Sequence, residues 1–231
     1  KFGVNTIGVE PAANIAKMNI LLVSATKQEI APFLEKMGAE TGGSALSSHA
    51  YKGHTIDILI TGVGAAQTAW YLGKHLNNKH QLAINAGICG SFDQHLKPGE
   101  VVQVTEDYFA DLGAEDDEKF ISVSELNLPA AYYVKNENPF VIESIKQVRG
   151  VTVNTTHGNE KSIQKFTSRI KADVESMEGA AFLWACNQEK VKCLQLRAIS
   201  NYVEKRDRNK WKIPEAIAAL NEKLTEILSE I

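Results

Sequence analysis

The amino-acid sequence predicts a single α/β domain in which a mixed, mostly parallel central β-sheet is flanked by helices. Short apolar runs of strand length alternate with segments of helical periodicity along the 231 residues, and this alternation is typical of a largely parallel sheet. Small-residue loops join several of these runs to the segments that follow. Because ligands bind at the carboxyl ends of the strands in such sheets, the loops that follow strands are the first candidates for function.

A different pattern indicates each element of the first third of the chain. The apolar run 19–25 is typical of a strand that is buried on both faces. Helical spacing predicts a helix over 28–38, which ends at a glycine. Alternation of β-branched residues predicts a strand over 54–61, and a helix follows over 65–77.

The remaining elements continue the alternation of strands and helices. The segment 81–85 is predicted to be a short strand that ends in a glycine-bearing turn over 86–90. Further strands are predicted over 101–105, 151–154 and 191–199, and helices over 139–148, 177–189 and 213–231.

Composition and charge exclude several classes of function. Lys and Arg number 25 against 28 Asp and Glu, and the net charge of −3 argues against nucleic acid as a partner. No apolar run approaches the roughly 20 residues of a membrane helix, so no membrane partner is expected. The three cysteines have no C-x-x-C spacing, and the six histidines form no metal motif. We therefore expect no metal, no cofactor and a reducing, cytoplasmic location.

The beginning of the chain is predicted to lie outside the domain. Residues 1–17 lack the basic start and apolar core of a secretory signal, and Met18 comes directly before the first strand. We expect the native protein to begin at Met18. Residues 1–17 are then an N-terminal extension of uncertain origin, and residues 18–231 form the functional domain.

Two short motifs are explained by turn geometry or by chance. The segment 62–64 (GVG) begins like a dinucleotide fingerprint, but the third glycine and the acidic residue of that motif are absent. It is predicted to be a tight turn whose glycines admit a sugar or an anion close to backbone N–H groups. The segment 24–27 (SATK) fits S-x-x-K, but the partner motifs S-D-N and K-T-G are missing.

Four charged residues near predicted strand ends are candidates for chemistry. Glu29 follows the first strand and is either a helix-start acid or a carboxylate that orients a water. Glu175 and Glu178 are three apart and, if helical, lie near one face beside small residues. A buried carboxylate needs a partner, which sugar hydroxyls could provide. Arg197 inside an apolar strand indicates either an ion pair with one of these glutamates or a role in holding water or an anion.

Five segments occur in an order that resembles the nucleoside phosphorylase and nucleosidase superfamily. They are VSATKQEI at 23–30, TGVG at 61–64, NAGICGS at 85–91, SMEGAA at 176–181 and RAISN at 197–201. The resemblance covers nearly the whole chain from Met18. NTTHGN at 154–159 and the stretch 200–221 make the chain most similar to the futalosine hydrolases, which are nucleosidases of an alternative menaquinone pathway. The resemblance implies a nucleoside phosphorylase-like fold and cleavage of an N-glycosidic bond.

The resemblance also implies roles for residues at matching positions. Glu29 matches the carboxylate that activates the attacking water, and Glu178 matches the glutamate on the 2′ and 3′ hydroxyls of ribose. Arg197 matches an arginine near the water, and Asn201 stands where the purine leaving group is handled. The other implied substrate-binding residues lie on loops around the base and the ribose: Gly64, Ile88, Gly90, His157, Gly158, Asn159 and Met177.

Asn201 is a departure from adenine-cleaving relatives, which carry aspartate at this position. Hypoxanthine that leaves with N7 protonated offers an acceptor, O6, beside a donor, N7–H, and an amide offers both complements. A site built for one pattern leaves polar groups unpaired with the other, so discrimination can reach about 10⁴. Unless it merely caps a turn, Asn201 therefore favours hypoxanthine, the base of futalosine.

Water rather than phosphate is expected to attack the sugar. Phosphorylases of the superfamily hold phosphate with arginines on the early loops, but the segments 24–29 and 62–67 contain none. Glu29 would repel phosphate and orient water instead. The resemblance thus implies hydrolysis of a 6-oxopurine nucleoside, futalosine, to hypoxanthine and dehypoxanthine futalosine.

Two other functions stay open at the level of the sequence. One is a nucleosidase for another purine nucleoside, such as inosine or methylthioadenosine, and the other is a nucleoside-binding sensor without turnover. The basic run 205–212 is either a solvated loop or the source of a cation that, with Trp211, meets the carboxyphenyl end of futalosine. Relatives are commonly dimers, so we expect a homodimer or a higher homo-oligomer in which the loop 112–120 of a neighbour closes the site.

Overall fold

The computed structural model describes residues 17–39 and 44–231. Of the predicted extension, residues 1–17, only Lys17 belongs to these ranges, and the rest lies outside the described residues. No helix in the described ranges is long and apolar enough to cross a membrane. A mixed central sheet with helices on both sides is formed, as the sequence predicts.

The described ranges contain strands and helices in the following order. The strands are β1 (Asn19–Ser24), β2 (Leu46–Tyr51), β3 (His54–Ile60), β4 (Leu82–Ser91), β5 (Val101–Phe109), β6 (Gly113–Asp116), β7 (Lys119–Ser122), β8 (Tyr133–Lys135), β9 (Gln147–Thr152), β10 (Val174–Ser176) and β11 (Cys193–Tyr202). The helices are α1 (Ala31–Met37), α2 (Ala65–His75), α3 (Glu160–Arg169), α4 (Gly179–Glu189) and α5 (Ile213–Glu230). Short 3-10 turns occupy Lys27–Ile30 and Arg208–Lys210.

The main sheet of the described residues closes partly on itself. Its path is β10-β9-β5-β11-β4-β1-β3-β2, with β8 added beside β5. The neighbours of β1 are parallel to it, as are β11 to β4 and β9 to β5, whereas β11 and β5 are antiparallel. β10 pairs with β9 and also, antiparallel, with β4. Strands β4, β11, β5, β9 and β10 therefore form a ring, which brings β10 beside the carboxyl end of β4.

Two apolar layers cover the central strands on opposite sides. In β1, Ile20 and Leu22 face the layer formed with α1 and α5, whereas Leu21 and Val23 face the layer formed with α2 and α4. Every residue of β1 from Ile20 onward is buried. The prediction of a strand buried on both faces is thus confirmed, and packing on both sides fixes the loop that follows β1.

The predicted turn over 86–90 is wrong, because these residues are the second half of β4. The glycines in this segment do not form a turn. They are needed because side chains of other elements lie directly against this half of β4. A Cβ at Gly87 would lie 3.0 Å from Oε1 of Glu29 and 3.4 Å from Nη1 of Arg197. The pairing of this half with β10 and β11 is long-range, so the local pattern does not reveal it.

The helix predicted over 139–148 is also wrong, and the segment is irregular until β9 begins. The side chain of Gln103 binds its backbone instead. Nε2 of Gln103 donates to the carbonyl of Phe140 at 2.9 Å, and the amide of Ile142 donates to Oε1 at 3.2 Å. Six elements of the described residues are absent from the sequence prediction: β2, β6, β7, β8, β10 and α3.

Candidate active site

The carboxyl ends of three neighbouring strands, β1, β4 and β11, meet around a cavity of about 340 Å³. Within the described residues, three carboxylates line this cavity and no lysine or arginine does. The structure brings six of the predicted site residues to its wall: Glu29, Ile88, Gly90, Met177, Glu178 and Asn201. These six residues, which are far apart in the sequence, therefore lie together around one cavity.

Glu29 is held as a hydrogen-bond acceptor at one end of the cavity. It is the third residue of the 3-10 turn after β1, where it closes a capping box with Thr26. Oε2 accepts from the amide and the hydroxyl of Thr26, both at 3.0 Å, and Oε1 accepts from the amide of Ile88 at 3.1 Å. Donors on both oxygens fix the orientation of the carboxylate.

Glu178 is the second carboxylate, and it occupies the N-cap position of α4. Its Oε1 accepts from the amide of Gly64 at 3.0 Å. Gly64 has φ 105°, a conformation that favours glycine, so its amide can point at the carboxylate. Burial raises the pKa of Glu178, while the nearby Arg197 guanidinium opposes this rise. The pKa of this group is therefore above that of an ordinary glutamate.

Arg197 lies behind the cavity wall and not on it. Its side chain is 1% exposed, Nη2 donates to Oδ1 of Asn85 at 2.5 Å, and Nη1 donates to the carbonyl of Leu196 at 3.0 Å. It forms no ion pair with a glutamate in the described part of the chain, so that interpretation is wrong. Its guanidinium lies next to Gly87, and its positive charge opposes the rise in the pKa of Glu178.

Asn201 lies where β11 loses its regular register with β4, between Ile199 and Asn201. Its Oδ1 accepts from the Ser200 hydroxyl at 2.8 Å, and its Nδ2 donates to the carbonyl of Tyr202 at 2.9 Å. Each amide group keeps a second hydrogen-bonding position. Gly90 lies opposite, and a Cβ there would be 3.3 Å from Nδ2. The absence of a side chain at Gly90 leaves the Asn201 amide accessible from the cavity.

Glu175 is the third carboxylate of the cavity. The three-residue spacing suggested that it shares a helix face with Glu178, but the segment is not one helix. Glu175 belongs to β10, whereas α4 begins only after Glu178. One oxygen accepts from the amide of His157 at 2.9 Å, and the other pairs with Nδ1 of the same residue. Glu175 lines the cavity and is only 4% exposed.

The predicted base-binding loop is divided between two places. Thr156 lines the main cavity, whereas His157, Gly158 and Asn159 line an adjoining cavity of about 560 Å³. Asn159 caps α3, because its Oδ1 accepts from the amides of residues 161 and 162. Gly158 packs against Arg206, since a Cβ at Gly158 would lie 3.2 Å from Cβ of Arg206. These three residues thus position the loop without lining the main cavity.

The sequence names Trp211 as a possible contact of the substrate but does not predict the rest of the apolar wall of the cavity. Trp211, Ile213 and Ile217 form this wall, the last two from α5. Trp211 is also covered by the Arg206 and Arg208 guanidinium groups, 5.0 and 6.0 Å from its ring centre. A tryptophan in a polar segment directly after the last strand is the sequence signal that indicates this wall.

Comparisons with known proteins agree on one family. A model described as the phosphorylase superfamily matches residues 19–231. A futalosine hydrolase of Thermus thermophilus is 30% identical over 224 residues, with 91% of this chain and 95% of the relative covered. A futalosine hydrolase of Acidothermus cellulolyticus is 30% identical over 220 residues, with 90% and 88% covered.

Solved structures of low sequence identity share the fold. The native futalosine hydrolase of Helicobacter pylori has a TM-score of 0.76 at 18% identity, with 93% of this chain and 98% of that chain covered. The 5′-methylthioadenosine/S-adenosylhomocysteine nucleosidase of the same organism has a TM-score of 0.76 at 18% identity, with 93% and 99% covered. At these identities the likeness concerns the fold alone.

Proposed function

The chain belongs to the phosphorylase superfamily and, within it, to the futalosine hydrolases, and we propose that it hydrolyses the N-glycosidic bond of futalosine to hypoxanthine and dehypoxanthine futalosine. This is the reaction of the menaquinone pathway to which the sequence resemblance points. The observation that carries the choice of hydrolysis is the charge of the cavity. Its three carboxylates and no cation, among the described residues, oppose a phosphate dianion and favour water and a cationic sugar.

Glu29 is the residue we assign to the attacking water. Oε2 already accepts from the amide and the hydroxyl of Thr26, whereas Oε1 accepts from the amide of Ile88. Oε1 therefore has a further lone pair for a water proton. The carboxylate is part of the cavity wall, so it can accept that proton while the water attacks the anomeric carbon.

Glu178 is the residue we assign to the ribose. As the C–N bond lengthens, the sugar becomes oxocarbenium-like, as in glycoside hydrolysis generally. An ionised carboxylate next to the ring accepts from the 2′ and 3′ hydroxyls and stabilises the developing positive charge. The amide of Gly64 fixes this carboxylate before substrate binds, so little reorganisation is needed during the reaction.

Asn201 is the residue we assign to the leaving base. Its second amide proton and the second lone pair of its carbonyl match O6 and N7–H of hypoxanthine. The Ser200 hydroxyl and the carbonyl of Tyr202 occupy the other positions and so orient the amide. The hydrogen bond from the Asn201 amide to O6 lowers the barrier, because it strengthens as electron density moves onto the departing base. The base takes its N7 proton from solvent, and the resulting N7–H donates to the Asn201 carbonyl.

A homodimer is the oligomeric state we propose, and the exposed surface supports it. Trp70 on α2 is 70% exposed and Trp184 on α4 is 41% exposed, on two helices that pack together. Large exposed apolar groups are typical of protein interfaces. The hairpin β6–β7, which overlaps the loop 112–120, has an exposed strand β6 that can reach a neighbour. The three cysteines are buried and free, which supports a reducing cytoplasm.

The proposal is tested by base release from futalosine, inosine and methylthioadenosine, followed by chromatography. We expect rapid hypoxanthine release from futalosine and slow or no release from the other two. Equal rates with inosine would instead indicate a general 6-oxopurine nucleosidase. Adenine release would contradict the base assignment, and tight binding of futalosine without any release would indicate a sensor.

A further inference from the structure

We infer that Glu175 is a specificity residue that accepts the N1–H group of the 6-oxopurine base. This inference rests on the proposed function, because it assumes that a purine occupies the cavity. None of the roles implied by the family resemblance falls on Glu175, so the argument depends on its position in the sheet, its burial and its hydrogen bonds.

The strand pairing places Glu175 and Asn201 on either side of Gly90. Glu175 is opposite Gly90 in the β10–β4 pair, and Asn201 is opposite Gly90 in the β11–β4 pair. Residues that pair across neighbouring strands point to the same face of a sheet, and both side chains line the same cavity. Neighbouring strands are about 4.8 Å apart, so the two Cα atoms are roughly 10 Å apart. Gly90 has no side chain, which leaves a flat floor between them.

The Glu175 carboxylate is held as an acceptor that faces the cavity. The amide of His157 donates to one oxygen at 2.9 Å, and its ring pairs with the other. The His157 ring is itself fixed by Phe166, 4.4 Å away between ring centres. A carboxylate has about four acceptor positions, so the His157 contacts leave capacity for one more donor from the cavity.

The edge of hypoxanthine matches these two side chains in order. Along that edge lie N7, O6 and N1–H, so an amide that reads N7 and O6 leaves N1–H to the residue beyond it. Glu175 can accept from N1–H, whereas adenine has only a lone pair at N1, which the carboxylate repels. Asn201 and Glu175 together therefore read a donor and acceptor pattern that 6-aminopurines lack.

The competing explanation is that Glu175 only holds the loop that carries His157. The two explanations differ in how the base preference responds to substitution. In Glu175→Gln, the oxygen of the new amide is required by the His157 amide, so the amide nitrogen takes the place of the oxygen that pairs with the His157 ring. One of its two N–H groups can bond that ring, and the other suits a lone pair at N1. The matched control His157→Phe removes the ring contact and keeps the carboxylate.

The experiment measures kcat/KM for futalosine and for its 6-amino counterpart with the wild type and both variants. We expect Glu175→Gln to lower the ratio of 6-oxo to 6-amino activity by about 10- to 100-fold, and His157→Phe to leave the ratio unchanged. Equal losses on both substrates in Glu175→Gln would overturn the inference. A wild type that releases no hypoxanthine from futalosine would instead contradict the proposed function.

A second measurement needs no variant and applies if Glu175→Gln does not fold. The wild type is compared on inosine and 1-methylinosine, or on futalosine and its N1-methyl derivative if inosine is too slow. Methylation removes the N1–H donor, so we expect kcat/KM to fall by at least about 10-fold. Equal kcat/KM values for the parent and the methylated nucleoside would show that no protein group reads N1 and would overturn the inference.

Discussion

Glu29 and Glu178 face one cavity from different surroundings, and this difference underlies their separate assignments. Glu29 is half-buried and bound by donors on both oxygens. Glu178 is buried and has a raised pKa, because little solvent reaches it. A half-buried carboxylate can meet a water, whereas a buried one is better placed to bind a sugar that displaces solvent.

The substitution Glu29→Gln tests the assignment of the water-activating group. A glutamine keeps the size of the side chain but loses most of the basicity, so we expect kcat to fall by about 10²- to 10⁴-fold with KM nearly unchanged. Steady-state kinetics of hypoxanthine release measures both. Gln28→Ala is the matched control, since Gln28 lines the same cavity, and it is expected to retain kcat. A Glu29→Gln variant with normal kcat would remove Glu29 from the reaction.

The pH dependence of kcat/KM tests the state of Glu178. Activity needs the ionised carboxylate, and burial raises the pKa of Glu178 above that of an ordinary glutamate. Activity should therefore be lost on acidification at a pH above about 4.3, the ordinary glutamate value. A profile that stays flat down to that pH would mean that the neutral acid also works, contrary to the proposed role.

The substitution Asn201→Asp tests which group reads N7 and O6. Aspartate removes the N–H₂ donor that O6 requires, so we expect activity on the 6-oxo nucleoside to fall by about 10- to 100-fold relative to the 6-amino one. Relative kcat/KM values for futalosine and its 6-amino counterpart provide the measurement. An unchanged ratio would return Asn201 to the role of a turn residue, bonded only to Ser200 and Tyr202.

At the scale of elements, the site depends on the ring of β4, β11, β5, β9 and β10 and on the start of α4. The sequence predicts the strands before Glu29 and around Arg197, because their apolar runs are continuous. It does not predict β10, which has three residues and forms only by pairing with β4 and β9. For this reason the position of Glu175 beside Gly90 is a result of the structure alone.

A buried polar group inside this ring supports the start of α4. Oδ1 of Asp107 accepts from the Thr152 hydroxyl at 2.9 Å, and that hydroxyl oxygen accepts from the amide of Ala180 at 2.8 Å. Nε2 of Gln195 donates to the other oxygen of Asp107 at 3.0 Å. Burial raises the pKa of Asp107 from 3.8 to about 6. Between those values the folded state binds the proton more tightly than the unfolded state, so this group stabilises the fold less as pH rises.

The substitution Asp107→Asn should remove this pH dependence. The asparagine is neutral at every pH, and Oε1 of Gln195, which has no partner in the described ranges, can accept from it after the Gln195 amide rotates. Relative to wild type, the free energy of unfolding of the variant should rise by up to about 3 kcal/mol between pH 4 and pH 7. Urea unfolding at several pH values measures the difference. A difference that is constant with pH would contradict the raised pKa.

At the scale of the whole molecule, the sequence predicts the fold class and most of the cavity for one physical reason. Glu29 follows the apolar strand β1, and Gly90 and Asn201 lie near the carboxyl ends of β4 and β11. Parallel strands bring such ends to one edge of the sheet. What it does not predict depends on distant contacts. Arg197 donates a hydrogen bond to Asn85 on a neighbouring strand and does not pair with a glutamate. Residues 139–148 have helical periodicity but do not form a helix, because the side chain of Gln103 binds their backbone.

The most direct test of the whole account is the rate of hypoxanthine release from futalosine as phosphate is varied from zero to millimolar concentration. A cavity with three carboxylates and, in the described ranges, no lysine or arginine predicts a rate that is independent of phosphate and a free sugar as the second product. A rate that rises from near zero with phosphate, together with a sugar 1-phosphate product, would contradict it and identify a phosphorylase.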